Sequence, residues 1–286
     1  MKLNKIATGI AAAGMIAGFA LPAHADVLAQ SVLELSNFRF TDSEGTTLDA
    51  SQFDTLIFSD STDISATLNG TTDTYSAGPI TTFGGIDGIQ VCVGSCGGYA
   101  DDTNYTHLSS PTTNLAMGDT LLSGAPLTGT GFTSGATAQT IAEAQLIDGG
   151  DSSAEDNLGL LATISFSLTE SQTVGVAFDI DQWLMAMLTA DSLLGSTAQA
   201  RSSWSISLAS GGTTLFDWTP DGLAGGITGG TEGADECDMT RTLGVQVPGD
   251  IANYDCQGSA SALTNFILDA GSLYTLTIAH ESTADA

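Results

Sequence analysis

The chain has 286 residues and a formal net charge of −28, with 33 Asp and Glu against five Lys and Arg. So acidic a surface repels nucleic acid and anionic lipid, which need Lys and Arg to neutralise phosphate. The apolar content of 42% excludes a chain that is disordered throughout, because it falls into strand-like runs that can bury surface.

The first residues carry both lysines, Lys2 and Lys5, followed by an apolar stretch from Ile6 to Leu21 and the small-residue pattern Pro22-Ala23-His24-Ala25. This is the order of a secretory signal peptide. The apolar run is short for a membrane span of about 20 residues and rich in Gly and Ala. Cleavage is expected after Ala25, leaving residues 26–286 as one β-rich domain without a membrane span. Arg39, Arg201 and Arg241 are then the only strong bases. Such a surface attracts divalent cations and stays soluble in salt water.

Next comes "VLAQSVLELSNFRF" (27–40). Val32, Phe38 and Phe40 share a parity, as on one face of a strand. Val27, Leu28, Val32, Leu33, Leu35, Phe38 and Phe40 form an apolar set that a neighbouring copy's sheet could accept. The alternative is an ordinary first strand of the chain's own sheet. "FDTLIFSD" (53–60) reads as the following strand. Cys92 and Cys96 then flank "VGS", and Cys237 and Cys256 lie further on. Four cysteines in an exported chain suggest disulfides, with three possible connectivities. Nearest neighbours pair most simply. A zinc site is disfavoured, because His107 and His280 show no ligand spacing with any cysteine.

Residues 100–140 are rich in Thr, Gly, Asn and Ser and predict a long loop or weak edge strands. "QTIAEAQLI" (139–147) has Ile141 and Ala144 at helical spacing and predicts a short helix. "ATISFSLTE" (162–170) and "QTVGVAFDID" (172–181) are strands. "QWLMAMLTADSLLG" (182–195) is a buried segment, either the same strand continued or a helix, which its Met and Leu favour. "SSWSISLAS" (202–210) and "TTLFDWTP" (213–220) flank Gly211-Gly212, a hairpin signal. "PDGLAGGITGGTEGADECD" (220–238) is a glycine-rich loop. "TNFILDA" (264–270) and "LYTLTIAH" (273–280) close the series. Many short strands with turn signals predict a mainly β fold, an antiparallel sandwich or jelly roll with long Gly/Thr/Asp-rich loops and one or two short helices.

Catalytic motifs are absent. "HES" at His280 begins like a zinc-protease motif, but residue 284 is Ala284. No G-x-S-x-G elbow occurs. The candidate sites are acidic. "DGGDSSAED" crowds Asp148, Asp151, Glu155 and Asp156. "DID" places Asp179 and Asp181 on one strand face, and "DECD" places Asp235, Glu236 and Asp238 beside Cys237. Flexible loops with many carboxylates suit calcium, which takes six to eight oxygens; the competing reading of each cluster is a solvated acidic loop. Trp204 alternates with Ile206 and Leu208 and should face the core. Trp218, beside Pro220, is the better candidate for an exposed sugar-stacking ring.

"DVLAQSVLELSNFRF" (26–40), "TAQARSSWSISLASGGTTLFDWTPDG" (197–222) and "LYTLTIAHESTADA" (273–286) together resemble the exosortase-dependent PEP-CTERM family of bacterial surface proteins. The resemblance implies export by a Gram-negative bacterium to the cell surface or extracellular matrix, and no catalytic residue. Members typically end in a Val-Pro-Glu-Pro motif, an apolar helix and a basic tail. The sequence to Ala286 carries none of these; a chain cut short of that segment and a member released without an anchor both stay open. The expectation is a structural protein, not an enzyme, that forms filaments with copies of itself by strand exchange or joins other surface components. The alternatives are a calcium-supported module that binds polysaccharide and, third, a hydrolase dependent on His107 or His280.

Overall fold

The computed structural model describes residues 26–80, 86–96, 107–125, 127, 135–155 and 160–286, with 86–88, 155 and 160 described in backbone only. The expected signal peptide and Asp156 lie outside the described residues. The strands in chain order are β1 (Val27–Thr41), β2 (Phe53–Leu68), β3 (Thr71–Ile80), β4 (Ile86–Gly94), β5 (Leu115–Ala125), β6 (Gly135–Leu146), β7 (Ser152–Glu155) and β8 (Leu160–Leu168). They continue with β9 (Gly175–Leu188), β10 (Ala198–Ser210), β11 (Thr213–Trp218), β12 (Ile227–Thr228), β13 (Gly230–Asp235), β14 (Thr242–Val245), β15 (Ile251–Thr264) and β16 (Tyr274–Asp285).

Two antiparallel sheets result. The first runs β13-β15-β9-β1-β6-β5-β4. The second runs β12-β11-β10-β16-β7-β2-β3, with β8 sharing the lane of β7 between β16 and β2, and β14 pairing β10 beyond β11. The sequence-level expectation of a mainly β sandwich therefore holds. The hairpin at Gly211-Gly212 forms as expected, with φ of 57° and 79°. Two positive φ values in a two-residue loop are the twist that joins neighbouring strands, and glycine adopts them without steric cost.

Strict alternation builds the second sheet. On β16, Tyr274, Leu276, Ile278, His280, Ser282 and Ala284 all point inward and are buried. On β10, Trp204, Ile206 and Leu208 do the same. They meet Leu33, Leu35, Phe38, Phe40, Phe178 and Ile180 of the first sheet in one shared core. Burying each such side chain stabilises the fold by roughly 1.5–3 kcal/mol. Towards the other end of β16 the core narrows to Ala29, Ala142, Ala144, Ala154 and Ala284. Small side chains there bring the sheets close enough for Thr140 Oγ1 to meet Ser282 Oγ at 2.9 Å.

Several sequence expectations are corrected. Residues 139–147 are not helical: Gly135–Leu146 is strand β6. Of the two readings of residues 182–195, the buried continuation of strand β9 holds as far as Leu188, and the helix that Met and Leu favour does not form. Among the described residues the helical structure is one 3-10 turn, Ala50–Gln52. The cause is common to both strands. Each is buried on both faces there, so the period-2 contrast is lost: on β6 Thr140, Glu143 and Gln145 are as buried as Ile141 and Ala144, and on β9 Leu184–Leu188 is a continuous apolar run. Residues 115–125, expected as loop or weak edge, form β5, a strand between β4 and β6 buried along most of its length. Gly118 lets β5 approach β2, since a Cβ there would lie 2.4 Å from Ile64 Cγ2. Part of the glycine-rich loop also pairs, as β12 and β13.

The expected phase of the first strand is corrected too. Val32 faces away from the sandwich core and packs with Met117 and Ile141, whereas Phe38 and Phe40 face into it. A bulge between Leu35 and Phe38 resets the alternation. Asn37 sits there with φ of 55°, a left-handed conformation that Asn tolerates better than bulky residues. Nor does β1 offer an edge. It is the central strand of the seven, between β9 and β6, and Val27, Leu28, Val32, Leu33, Leu35, Phe38 and Phe40 are all buried.

Candidate functional site

The carboxylates divide into groups according to what the strands do with them. On β9, Asp179 and Asp181 share the outward face, as their spacing predicts. Across the ladder Asp181 lies opposite Glu34 and Asp179 opposite Ser36. Amide side chains, not cations, answer these carboxylates. Asn37 Nδ2 donates to Asp179 Oδ2 at 2.5 Å, Gln257 Nε2 to Asp181 Oδ2 at 3.1 Å, and Gln139 Nε2 to Glu34 Oε2 at 3.1 Å. Burial, and then the charge of Asp181, push the Glu34 carboxyl above its usual range, against the pull of Gln139. Asp179 also lines an open groove of about 450 Å³ whose wall includes Arg39, Ser259 and Ser261. Nη1 of Arg39 donates to the Asn37 carbonyl at 2.8 Å.

Beside the Cys237–Cys256 disulfide, the acidic residues hold backbone in place. Asp235 Oδ2 accepts from the amides of Asp221 and Gly222 at 3.2 and 3.1 Å. Glu236 Oε2 accepts from the Ser259 amide at 2.7 Å. Asp238 Oδ1 accepts from the amide and hydroxyl of Thr240, both at 3.1 Å, and Oδ2 lies 3.5 Å from Arg241. Burial raises the Asp235 pKa; the two backbone amides oppose it, and Glu232 and Asp221 add to it. In the third cluster Asp148 Oδ2 accepts from Asn114 Nδ2 at 3.3 Å, and the backbone of Asp151 pairs with Asn69. Glu155 contributes backbone to β7. Among the described residues no three His, Cys, Asp or Glu side chains come together as a metal-binding group.

Both disulfides join sequence neighbours, Cys92–Cys96 and Cys237–Cys256.

The aromatic rings are mostly structural. Trp204 is buried, as its alternation predicts. Trp218, the better candidate for exposure although core packing is the favoured role for all three tryptophans, is 0% accessible and belongs to the core. It packs edge-on against Trp204 at 5.9 Å and donates from Nε1 to Glu232 Oε1 at 2.8 Å. The signal was the period of "LFDW": Phe216 and Trp218 are two apart and share the inward face of β11. Trp183 lies on the outward face of β9, but the His107 ring stacks on it at 4.3 Å, almost parallel.

Two ionisable groups, His280 and Asp60, are buried, and nothing in composition marks that burial. His280 is enclosed; the Leu33 backbone lies near its ring, but neither ring nitrogen makes a hydrogen bond of full geometry. Burial pushes its pKa down to about 3, with the Leu33 backbone opposing slightly. Asp60, on β2, is also fully buried with neither oxygen partnered, and burial pushes its pKa up to about 7.

The remaining unusual feature is an edge. β3 ends the second sheet, and among the described residues it pairs only with β2. Residues 71–76 are exposed without interruption, including Tyr75 at 41%. Asn69 and Gly70 make a two-residue turn with φ of 50° and 77°, closing the ladder at Leu68↔Thr71. Alternate residues of an antiparallel strand bond to opposite neighbours. Thr71, Asp73 and Tyr75 therefore bond to β2, and the amides and carbonyls of Thr72, Thr74 and Ser76 point off the sheet. One of those amides is already occupied: Thr74 N–H donates to Asp73 Oδ1 at 2.9 Å. At this end of the sandwich β3 lies beside β4; at the other, β12 lies beside β13.

Comparison of the chain with protein-family models, curated proteins and solved structures finds no match in any of the three.

Proposed function

We propose that this protein is an exported structural subunit of a cell surface or extracellular matrix, and that copies assemble through their sheet edges. The observation that carries this reading is the exposed stretch 71–76 of β3, which among the described residues pairs only with β2. An unpaired strand edge is a template for another strand, and soluble proteins usually blunt it with Lys, Pro or a cover. Pro79 and a ladder irregularity blunt the far end of β3, but residues 71–76 carry neither Lys nor Pro and a single charge, Asp73. On this reading the joining edge is β3 in place of residues 27–40, which fill the middle of their own sheet. The two disulfides suit an oxidising compartment. A sandwich with edges at both ends can join neighbours at each, which gives an open array instead of a closed dimer.

The test is negative-stain electron microscopy of residues 26–286, with calcium and with chelator. Regular fibres or sheets are expected. Dispersed particles in both conditions would contradict the reading. A second reading, a polysaccharide-binding module, draws on the groove at Arg39, where a guanidinium, a carboxylate and serine hydroxyls converge. Its test is calorimetric titration with soluble polysaccharide, in which Arg39→Ala should abolish the heat of binding. No heat with the unaltered protein would remove it.

A further inference from the structure

We propose that the β3 edge is a two-fold joint between two copies of this chain, and that the Asp73 carboxylate is its gate. This rests on the assembly reading and gives it a partner, a register and a control.

The partner follows from charge. Copies of a chain with net charge −28 repel one another, so they can meet only where carboxylates are sparse. Residues 71–80 hold one, Asp73. The other exposed groups of residues 71–76 are the hydroxyls of Thr71, Thr72, Thr74, Tyr75 and Ser76. The register follows from the outward-pointing backbone. A two-fold axis at Thr74 sets Thr74 opposite Thr74 of the second copy, and Thr72 opposite Ser76 in both directions. Each pair exchanges two hydrogen bonds, about six in all. The same axis places each Asp73 opposite a Tyr75, so the two carboxylates do not face each other. Like charges directly opposite would oppose pairing.

The gate is the contact already formed. The Thr74 amide lies at the centre of this joint, and its hydrogen bond to Asp73 Oδ1 uses the donor that a second strand needs. The carboxylate must swing away before the central pair can close. Asp73 thus holds the edge closed in the isolated chain.

Sedimentation equilibrium of residues 26–286 tests the joint. Asp73→Thr removes the gate and keeps a strand-forming residue; it should tighten self-association at least about tenfold, as expected for one freed hydrogen bond and one lost charge at each symmetric contact. Thr74→Pro deletes an outward amide that β2 does not use, a substitution edge strands tolerate, and should abolish association through β3. If that variant melts early, Ser76→Pro deletes another outward amide in its place. Thr74→Cys should yield a disulfide-linked dimer on oxidation, since residues of a hydrogen-bonded pair lie about 5.5 Å apart at Cα. The proposal is overturned if Asp73→Thr associates no more tightly than the unaltered protein, or if the folded proline variants associate as tightly as the unaltered protein does. Fibres from folded Thr74→Pro would overturn this joint alone and leave assembly standing. Monomers throughout, with no fibres from any variant, would overturn both.

Discussion

Single residues make a pH dependence with two opposing parts. His280 is neutral when folded, with a pKa of about 3 against an ordinary 6.5. The unfolded chain therefore takes up the proton first, and stability is lost as pH falls from about 6.5 towards 3. Asp60 acts in the other sense. Its folded pKa of about 7 lies above the ordinary 3.8, so the folded chain keeps a proton that the unfolded chain releases. Stability from this group declines as pH rises from 3.8 to 7. Urea denaturation should separate them. Asp60→Asn should stabilise above pH 7, by roughly 1–3 kcal/mol for relief of an unpaired buried charge, with little effect near pH 4. His280→Leu should remove part of the acid loss below pH 6. A parallel shift at all pH values for either variant would contradict these assignments. Trp218→Ala should cost roughly 3–5 kcal/mol, as for other buried large-to-small changes, measured by the same denaturation. An unchanged midpoint would return Trp218 to the surface. The acidic residues show how far sequence alone reaches at this scale. Their clustering was legible. That Asp235 and Glu236 would accept from backbone amides was not, because their donors at Gly222 and Ser259 come from distant or unpatterned segments.

At the scale of elements, deleting residues 26–40 should unfold the protein, since it removes the central strand of the first sheet and much of the shared core. Circular dichroism and proteolysis would report it. A folded truncated protein that no longer assembles would restore strand exchange through this segment. Alternation made β10 and β16 legible because each has a buried and a wetter face. β6 and β9 gave no such contrast: Leu108 and its neighbours cover the outward face around Gln30, Met185 and Met187. Nothing local announces that a loop will fold over a sheet. The bulge at Asn37 is similarly hidden, and it reverses the faces expected of Val32 and Phe38. The exposed β3 was missed because Thr, Asp, Tyr and Ser without large aliphatics look like loop. Only pairing with β2 makes them strand.

Across the whole molecule, the long-range ladders are held by two sulfur links of unequal reach. Cys237–Cys256 spans 19 residues and Cys92–Cys96 spans four. Loop-closure entropy gives about 3 kcal/mol for the first and about 2 for the second. Replacing Cys237 and Cys256 together with serine should lower stability more than replacing Cys92 and Cys96, by thermal denaturation; the reverse order would contradict the entropic account. The sandwich class was legible from turn-bounded strands, but which strand would be central and which would be an edge was not. That depends on pairings between residues more than a hundred positions apart, such as Gln30 with Glu143. The account's central claim is that this acidic sandwich is a building unit joined at its edges. Electron microscopy of residues 26–286 tests it most directly, at rising concentration. Ordered fibres or sheets, growing with concentration, are the result this account predicts. Isolated particles of one subunit's size at every concentration would contradict it.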